Sequence, residues 1–231
     1  MDEGRIRRNL DAVRGRIAAA ARRSGRDPAS VRLVAVTKRI PPGPIRALVA
    51  AGAVDLGENY PQELWSKAEA LADLPVRWHL IGHLQGNKAK RTLPMVRMIH
   101  AVDSLKLLQA LEALARGAAD PPAVCLQVNT SGEPAKHGWR PPEVPRDAEA
   151  IAACRGVPVV GLMTMAALDA TPESARTSFA RLRAIRDDLR ARTGLPLDEL
   201  SMGMSGDFEA AIEEGATFVR IGSALFEGVG P

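Results

Sequence analysis

Lys38 is the side chain in this sequence best placed to do covalent chemistry. It ends the segment 31–38 (VRLVAVTK), whose β-branched and aliphatic residues predict a buried strand that stops at the lysine. Ligands of α/β folds bind at the carboxyl ends of strands, and a lysine buried there can lose its proton and attack a carbonyl. We therefore hypothesise that Lys38 forms a Schiff base. The alternative is a lysine that extends from the strand end into solvent.

Two segments near the end of the chain predict a phosphate site. SMGMSGD (201–207) and RIGSALF (220–226) lie at the carboxyl ends of the seventh and eighth predicted strands, where the loops of barrel folds commonly bind phosphate. Ser205 offers a hydroxyl, and the backbone N–H groups at Gly222 and Ser223 can approach an oxyanion closely. The alternatives are that Ser205 merely caps a helix and that Gly222 merely bends a strand. The joint occurrence of Ser205, Gly222 and Ser223 on the two expected loops favours the phosphate site.

Arg220 shares one side of strand eight with Gly222, because the two are two positions apart and alternate residues of a strand point to the same side. A guanidinium on a buried strand needs an acceptor. Opposite a pyridine nitrogen it would keep that nitrogen unprotonated, since two facing cations repel. A salt bridge to a barrel carboxylate such as Glu58 is an equally good interpretation.

A strand-end lysine near a phosphate site describes a protein that binds a phosphorylated aldehyde. Pyridoxal 5′-phosphate is the obvious candidate cofactor. A class I aldolase, in which a barrel lysine attacks a sugar phosphate directly, is the second interpretation.

The elements that position these residues alternate regularly along the chain. Eight strands are predicted, at 31–38, 54–59, 76–83, 96–104, 123–129, 157–165, 197–205 and 217–228, the last with a terminal turn. Helical segments separate them, so the pattern predicts an α/β fold in which residues 1–231 form a single (β/α)8 TIM barrel domain. An open doubly wound sheet is the alternative, but no G-x-G-x-x-G follows the first strand.

Two helices have clear signals. An extra N-terminal helix is predicted as far as about Ser24, with one apolar face formed by Ile6, Leu10, Val13, Ile17 and Ala20. The other has Thr171 as N-cap, Pro172 at its first position and Gly194 as terminator.

Composition excludes several classes of protein. The net charge is +4, the aromatic content is 3%, and there are two cysteines among 231 residues. So few aromatic residues provide no stacking platform for single-stranded nucleic acid, and two cysteines make no disulfide framework. No apolar run approaches the roughly 18 residues needed to span a bilayer. We expect a cytoplasmic monomer that binds neither nucleic acid nor membrane.

Ordered motifs along nearly the whole chain resemble a known family. They are AVTK, GENYPQEL, WHLIGHLQGNK, VDS, QVN, SGEPAKHG, GLMTM and SMGMSGDFEAAIEEGATFVRIGSALF. Over about residues 5–228 the chain resembles the pyridoxal phosphate homeostasis proteins, whose barrel is similar to the N-terminal domain of alanine racemases. One departure is Gly86, where the family usually has a polar residue.

The resemblance implies a pyridoxal phosphate-binding protein that protects the cofactor and transfers it, possible recipients being apo forms of cofactor-dependent enzymes, without established catalysis. The implied contacts are Lys38 with the aldimine; Ser205, Gly222 and Ser223 with the phosphate; Arg220 with the ring nitrogen; and Asn59, His79 and Met163 beside the ring.

The residues themselves favour a carrier over an enzyme. A racemase of this type needs a second acid–base group, usually a tyrosine from another domain, and Tyr60 is the single tyrosine here. An arginine at the ring nitrogen would also weaken the electron sink. A racemase-like enzyme remains the alternative function.

The histidines do not predict a metal site. The four histidines (His79, His83, His100 and His137) are widely separated, and no carboxylate or cysteine spacing near them indicates a metal site.

Overall fold

Eight parallel strands close into a barrel in the computed structural model, which describes residues 3–133, 136–167 and 169–229. Each strand pairs with its neighbours in sequence, and the last strand pairs with the first, for example Ala35 with Ile221. The strands are β1 (Arg32–Val36), β2 (Asp55–Glu58), β3 (Arg77–Leu80), β4 (Met98–Val102), β5 (Ala123–Gln127), β6 (Val159–Met163), β7 (Glu199–Ser201) and β8 (Phe218–Ile221). The predicted (β/α)8 barrel is confirmed, and the open-sheet alternative is wrong because the first and last strands pair.

Helices connect the strands in the order of a β/α barrel. They are α1 (Glu3–Arg23), α2 (Pro42–Ala50), α3 (Pro61–Ala70), α4 (Gly86–Thr92), α5 (Leu105–Ala115), α6 (Glu143–Arg146), α7 (Ala148–Ala153), α8 (Pro172–Thr193) and α9 (Phe208–Glu213). Short 3₁₀ turns occur at 28–30, 93–95 and 223–225. None of the helices in the described part of the chain is both long and apolar enough to cross a bilayer.

Helix α8 begins and ends where the sequence predicts. The Thr171 hydroxyl accepts a hydrogen bond from the N–H of Ser174, and Gly194 ends the helix at a φ of 68°. A left-handed φ of this kind costs glycine little, so the terminator has a physical cause.

Helix α1 completes the outer ring. It packs against both α2 and α9, and β8 is followed within the described residues by the 3₁₀ turn 223–225 instead of a full helix. Arg14 donates a 2.8 Å hydrogen bond to the Gly52 carbonyl beside α2, and Arg16 forms an ion pair with Glu209 on α9. The N-terminal helix predicted as an addition therefore takes the place of the eighth helix of the ring.

The core has two parts. The larger lies between the strands and the helices, where the predicted face of α1 is buried. The smaller fills the barrel with Val34, Val36, Ile81, Met98, Ala101, Cys125, Met163 and Phe218. Side chains that alternate along β1 divide between them, because successive residues of a strand point to opposite faces.

Candidate functional site

A cavity of about 370 Å³ opens at the carboxyl ends of β1 and β8 and beside the loop after β7. It is lined by Val36, Lys38, Asn59, Ile81, Met165, Met204, Ser205, Gly206, Arg220, Gly222 and Ser223. Six of the eight residues predicted to contact a cofactor thus meet in one place. Its volume lies in the range of small-molecule sites, about 300–1,000 Å³.

Lys38 lines this cavity but is not buried at a strand end. Strand β1 ends at Val36, and Lys38 and Arg39 form a turn in which both side chains are exposed. The turn holds Arg39 at a φ of +62°, which reverses the chain before α2. The expected buried ammonium is therefore wrong, because the strand stops two residues earlier than its apolar pattern predicts.

A buried ion pair holds the residue before the lysine. The carboxylate of Glu58 is completely buried and accepts hydrogen bonds from the Thr37 hydroxyl at 2.5 Å and the Lys67 ammonium at 2.7 Å. Lys67 also donates a 2.7 Å bond to the Thr37 carbonyl. Burial raises the pKa of Glu58, although its two partners oppose that effect. This cluster attaches the end of β1 to β2 and α3.

The predicted phosphate residues lie on the two loops expected. Ser205 follows β7, and Gly222 and Ser223 follow β8, Ser223 beginning the 3₁₀ turn. A Cβ added to Gly222 would lie 3.2 Å from both Cβ and the carbonyl oxygen of Val36, so glycine lets β8 approach β1 closely here. The Asp207 carboxylate accepts a 2.6 Å hydrogen bond from the N–H of Met204.

Arg220 is buried and is held by β7 and by the residue that follows β6. Its Nη1 donates to the Ser201 hydroxyl at 2.6 Å, and its Nη2 donates to the Thr164 carbonyl at 2.9 Å. Burial lowers the pKa of Arg220 to about 10, against the opposing attraction of Asp207, so the guanidinium is charged at neutral pH. Glu58 pairs with Lys67, so the alternative salt bridge from Arg220 to Glu58 is wrong.

A chain of hydrogen bonds runs from Arg220 through the barrel interior. The Ser201 hydroxyl lies 2.7 Å from Nδ1 of His100, Nε2 of His100 lies 2.9 Å from Nδ1 of His79, and Nε2 of His79 lies 3.0 Å from Asp55. Burial, followed by the charges of His79, Arg220 and Arg32, lowers the pKa of His100 well below 6.5. At one end of this chain Arg220 donates to the Ser201 hydroxyl, and at the other end Nε2 of His79 donates to Asp55, because a carboxylate can only accept.

The three residues predicted beside the ring lie at different depths. Asn59 lines the cavity, whereas His79 and Met163 do not. His79 lies below it in the hydrogen-bonded chain, and Met163 is fully buried in the barrel core. Met165, two residues beyond Met163, lines the cavity instead, as does Ile81. Alternate residues of a strand point to the same side, so the same two-residue spacing continued past the ends of β3 and β6 indicates Ile81 and Met165.

Known proteins resemble this chain over nearly its full length. The family model described as alanine racemase, N-terminal domain, matches residues 8–229. A pyridoxal phosphate homeostasis protein of Pseudomonas aeruginosa is 46% identical over 221 residues, which cover 96% of this chain and 94% of that protein. The chain belongs to the pyridoxal phosphate homeostasis protein family.

Solved structures of other proteins share the barrel. PipY of Synechococcus elongatus, whose structure was solved with pyridoxal phosphate bound, has a TM-score of 0.85 at 36% identity and covers 96% of this chain and 99% of that one. An alanine racemase of Streptomyces lavendulae, at 22% identity and a TM-score of 0.74, shares the fold over 99% of this chain but 58% of its own. The barrel of this protein therefore corresponds to about three-fifths of that racemase chain.

Proposed function

We propose that this protein binds pyridoxal 5′-phosphate in the cavity beside Lys38, protects it and transfers it to other proteins. The observation that carries the proposal is the convergence of Lys38, Ser205, Gly222, Ser223 and Arg220 on one cavity. Its donor set fits the cofactor: an amine for the aldehyde carbon, hydroxyl and backbone N–H groups for the phosphate, and a guanidinium for the ring nitrogen. Membership of the homeostasis family supports this function over a class I aldolase.

Arg220 supports a carrier more than an enzyme. Bound pyridoxal phosphate supplies an electron sink that is strongest when its ring nitrogen is protonated. The charged guanidinium of Arg220 would keep that nitrogen unprotonated, since two facing cations repel. Ser201 and Thr164 restrain the guanidinium, so it cannot easily turn away. The site is thus suited to holding the cofactor with little activation.

The position of Tyr60 also weakens the racemase alternative. It precedes α3, is 55% exposed and does not line the cavity. A racemase needs an acid–base group on each face of the substrate's α-carbon, and Tyr60 does not provide the second.

We further propose a cytoplasmic monomer that supplies apo forms of cofactor-dependent enzymes. Cys125 and Cys154 are both buried free thiols, as is usual in a reducing compartment. Tyr60, Leu114 and Met204, the large apolar side chains exposed in the described residues, lie on separate elements, which supports a monomer.

The visible spectrum tests the site directly. We expect the protein loaded with pyridoxal phosphate to be yellow, and borohydride reduction followed by peptide mapping to place the adduct on Lys38. Lys38→Ala should abolish the colour, whereas Lys106→Ala on α5 should keep it. An adduct on Lys136 would overturn the assignment of Lys38; a protein that never becomes coloured would overturn the proposed function.

Transfer and turnover separate the carrier from the enzyme. A carrier should restore activity to an apo pyridoxal phosphate enzyme, and should leave the α-hydrogen of alanine in place in deuterated water. Exchange of that hydrogen would instead establish the racemase-like alternative.

A further inference from the structure

Three loops at the cofactor end of the barrel bring two imidazoles and a carboxylate together. His83 follows β3, Asp103 follows β4 and His137 lies in the loop after β5. Nδ1 of His83 lies 2.7 Å from Oδ2 of Asp103, and Nδ1 of His137 lies 3.8 Å from the same oxygen. One nitrogen or oxygen of each residue falls within 4.8 Å of the others. The three residues lie far apart in the sequence, so the sequence analysis predicts no metal site here.

The backbone holds the two histidines in place. Gly82, just before His83, packs so closely that a Cβ there would lie 2.2 Å from the Asn59 carbonyl oxygen. Gln127 donates a 2.9 Å hydrogen bond from its side chain to the His137 carbonyl. Gly138, just after His137, packs against the Gln127 carbonyl. A Cβ added to Gly138 would lie 2.6 Å from that carbonyl oxygen. Both histidines are thus anchored next to close backbone contacts.

Asp103 is oriented toward the imidazoles by its own neighbour. Its side chain is 8% exposed, and its Oδ1 accepts a hydrogen bond from the Ser104 hydroxyl at 3.3 Å. Oδ2 is left facing both histidines. Partners of this kind orient the ligands of natural metal sites.

The spacing of the three atoms suits a transition-metal ion. Zn²⁺ binds imidazole nitrogen and carboxylate oxygen at about 2.0–2.2 Å, so ligand atoms of a tetrahedral site lie roughly 3.3 Å apart. The distances from Asp103 to the two histidines, 2.7 and 3.8 Å, lie on either side of that value. The two rings stack with their centroids 4.8 Å apart and 18° between their planes, so one of the exposed imidazoles turns when both Nδ1 atoms bind the same ion.

We propose that His83, Asp103 and His137 bind a divalent transition-metal ion of the Zn²⁺ class. Two imidazoles and one carboxylate leave a fourth position for water or another ligand. The adjoining cavity of about 270 Å³ is lined by His83 and His137 and by three residues of the Lys38 cavity, Asn59, Ile81 and Met165. The ion therefore joins the loop after β5 to those after β3 and β4, beside the Lys38 cavity.

Titration of the cofactor-free protein tests the site without relying on the proposed function. Tag-free, chelator-treated protein is titrated with Zn²⁺ by calorimetry, and with Co²⁺, whose visible absorption reports ligand number and geometry. We expect one ion per chain. His83→Gln, His137→Gln and Asp103→Asn should each weaken binding at least tenfold, whereas the exposed carboxylate variant Asp188→Asn should not.

Two outcomes would overturn the metal site. One is Zn²⁺ binding by the wild type that does not saturate below about 1 mM; the other is unchanged affinity in both histidine variants. Circular dichroism of each variant shows whether it is folded, and His83 and His137 are at least 45% exposed, so glutamine is accommodated at both positions.

Discussion

The guanidinium of Arg220 and the hydroxyl of Ser201 are joined by a 2.6 Å hydrogen bond inside the barrel. Ser201 is fully buried and lies on β7, next to β8. Its hydroxyl is the link between Arg220 and His100, so the position of the guanidinium in the cavity depends on a residue that does not line the cavity.

Removal of the Ser201 hydroxyl should therefore loosen Arg220. In Ser201→Ala both Arg220 and His100 lose a buried partner, and we expect the free energy of unfolding to fall by about 1–3 kcal/mol. Pyridoxal phosphate affinity should also fall. Urea unfolding and a fluorescence titration measure the two effects.

Ser178→Ala is the matched control for that variant. Ser178 is also buried, but its hydroxyl bonds only within α8, to the Ser174 carbonyl at 3.1 Å. Its substitution should leave cofactor affinity unchanged. Equal affinity losses in the two variants would contradict a specific role for the Arg220–Ser201 bond.

His100 should make the protein less stable in mild acid. Its folded-state pKa is well below 6.5, so below about pH 6.5 the unfolded chain takes up a proton that the folded protein does not. The stability contributed by this neutral histidine is complete above pH 6.5 and falls with pH by up to about 1.4 kcal/mol per unit. Unfolding free energies measured from pH 5.5 to 7.5 should show this slope.

The His100→Asn variant isolates that effect. The difference between the pH curve of this variant and that of the wild type should carry the slope. Parallel curves for His100→Asn and the wild type would show that another group causes the acid sensitivity.

Lys67 should matter more for stability than an exposed cation. In Lys67→Met the buried Glu58 loses its ion-pair partner, and we expect a loss of about 3 kcal/mol in the free energy of unfolding. Arg46→Met, which removes the exposed Arg46–Asp73 pair, is the control and should change little. Urea unfolding of both variants at pH 7 measures the two losses in the free energy of unfolding. Equal losses would mean that Glu58 pairs with another group or becomes protonated.

Gly82 and Gly86, four residues apart, should respond oppositely to alanine. A Cβ at Gly82 would lie 2.2 Å from the Asn59 carbonyl oxygen, so Gly82→Ala must displace backbone at the cavity and should cost about 2 kcal/mol or more. Gly86 begins α4 with open space around its Cα, so Gly86→Ala should stabilise by about 0.4–1 kcal/mol. Thermal melts of both variants test this; a stable Gly82→Ala protein would contradict the close contact with Asn59.

Local patterns predicted much of the fold. The apolar face of α1 and the Thr171 and Gly194 boundaries of α8 depend on periodicity and capping within one segment, and both are confirmed. The alternation of strands with helices predicted a parallel sheet, because parallel strands need such crossovers, and the missing G-x-G-x-x-G favoured a closed barrel over an open sheet. The resemblance of SMGMSGD and RIGSALF to known motifs likewise required no coordinates.

The sequence by itself determined the barrel, the homeostasis-family motifs and the residues proposed to hold the cofactor. Only the tertiary structure decided which side chains share a cavity, because that depends on where each strand ends and on the register between strands. It placed Lys38 in an exposed turn, Met165 in the cavity instead of Met163, and His79 in a chain of hydrogen bonds beneath it. The cluster of His83, Asp103 and His137 likewise exists because the adjacent parallel strands β3, β4 and β5 bring the loops at their carboxyl ends together.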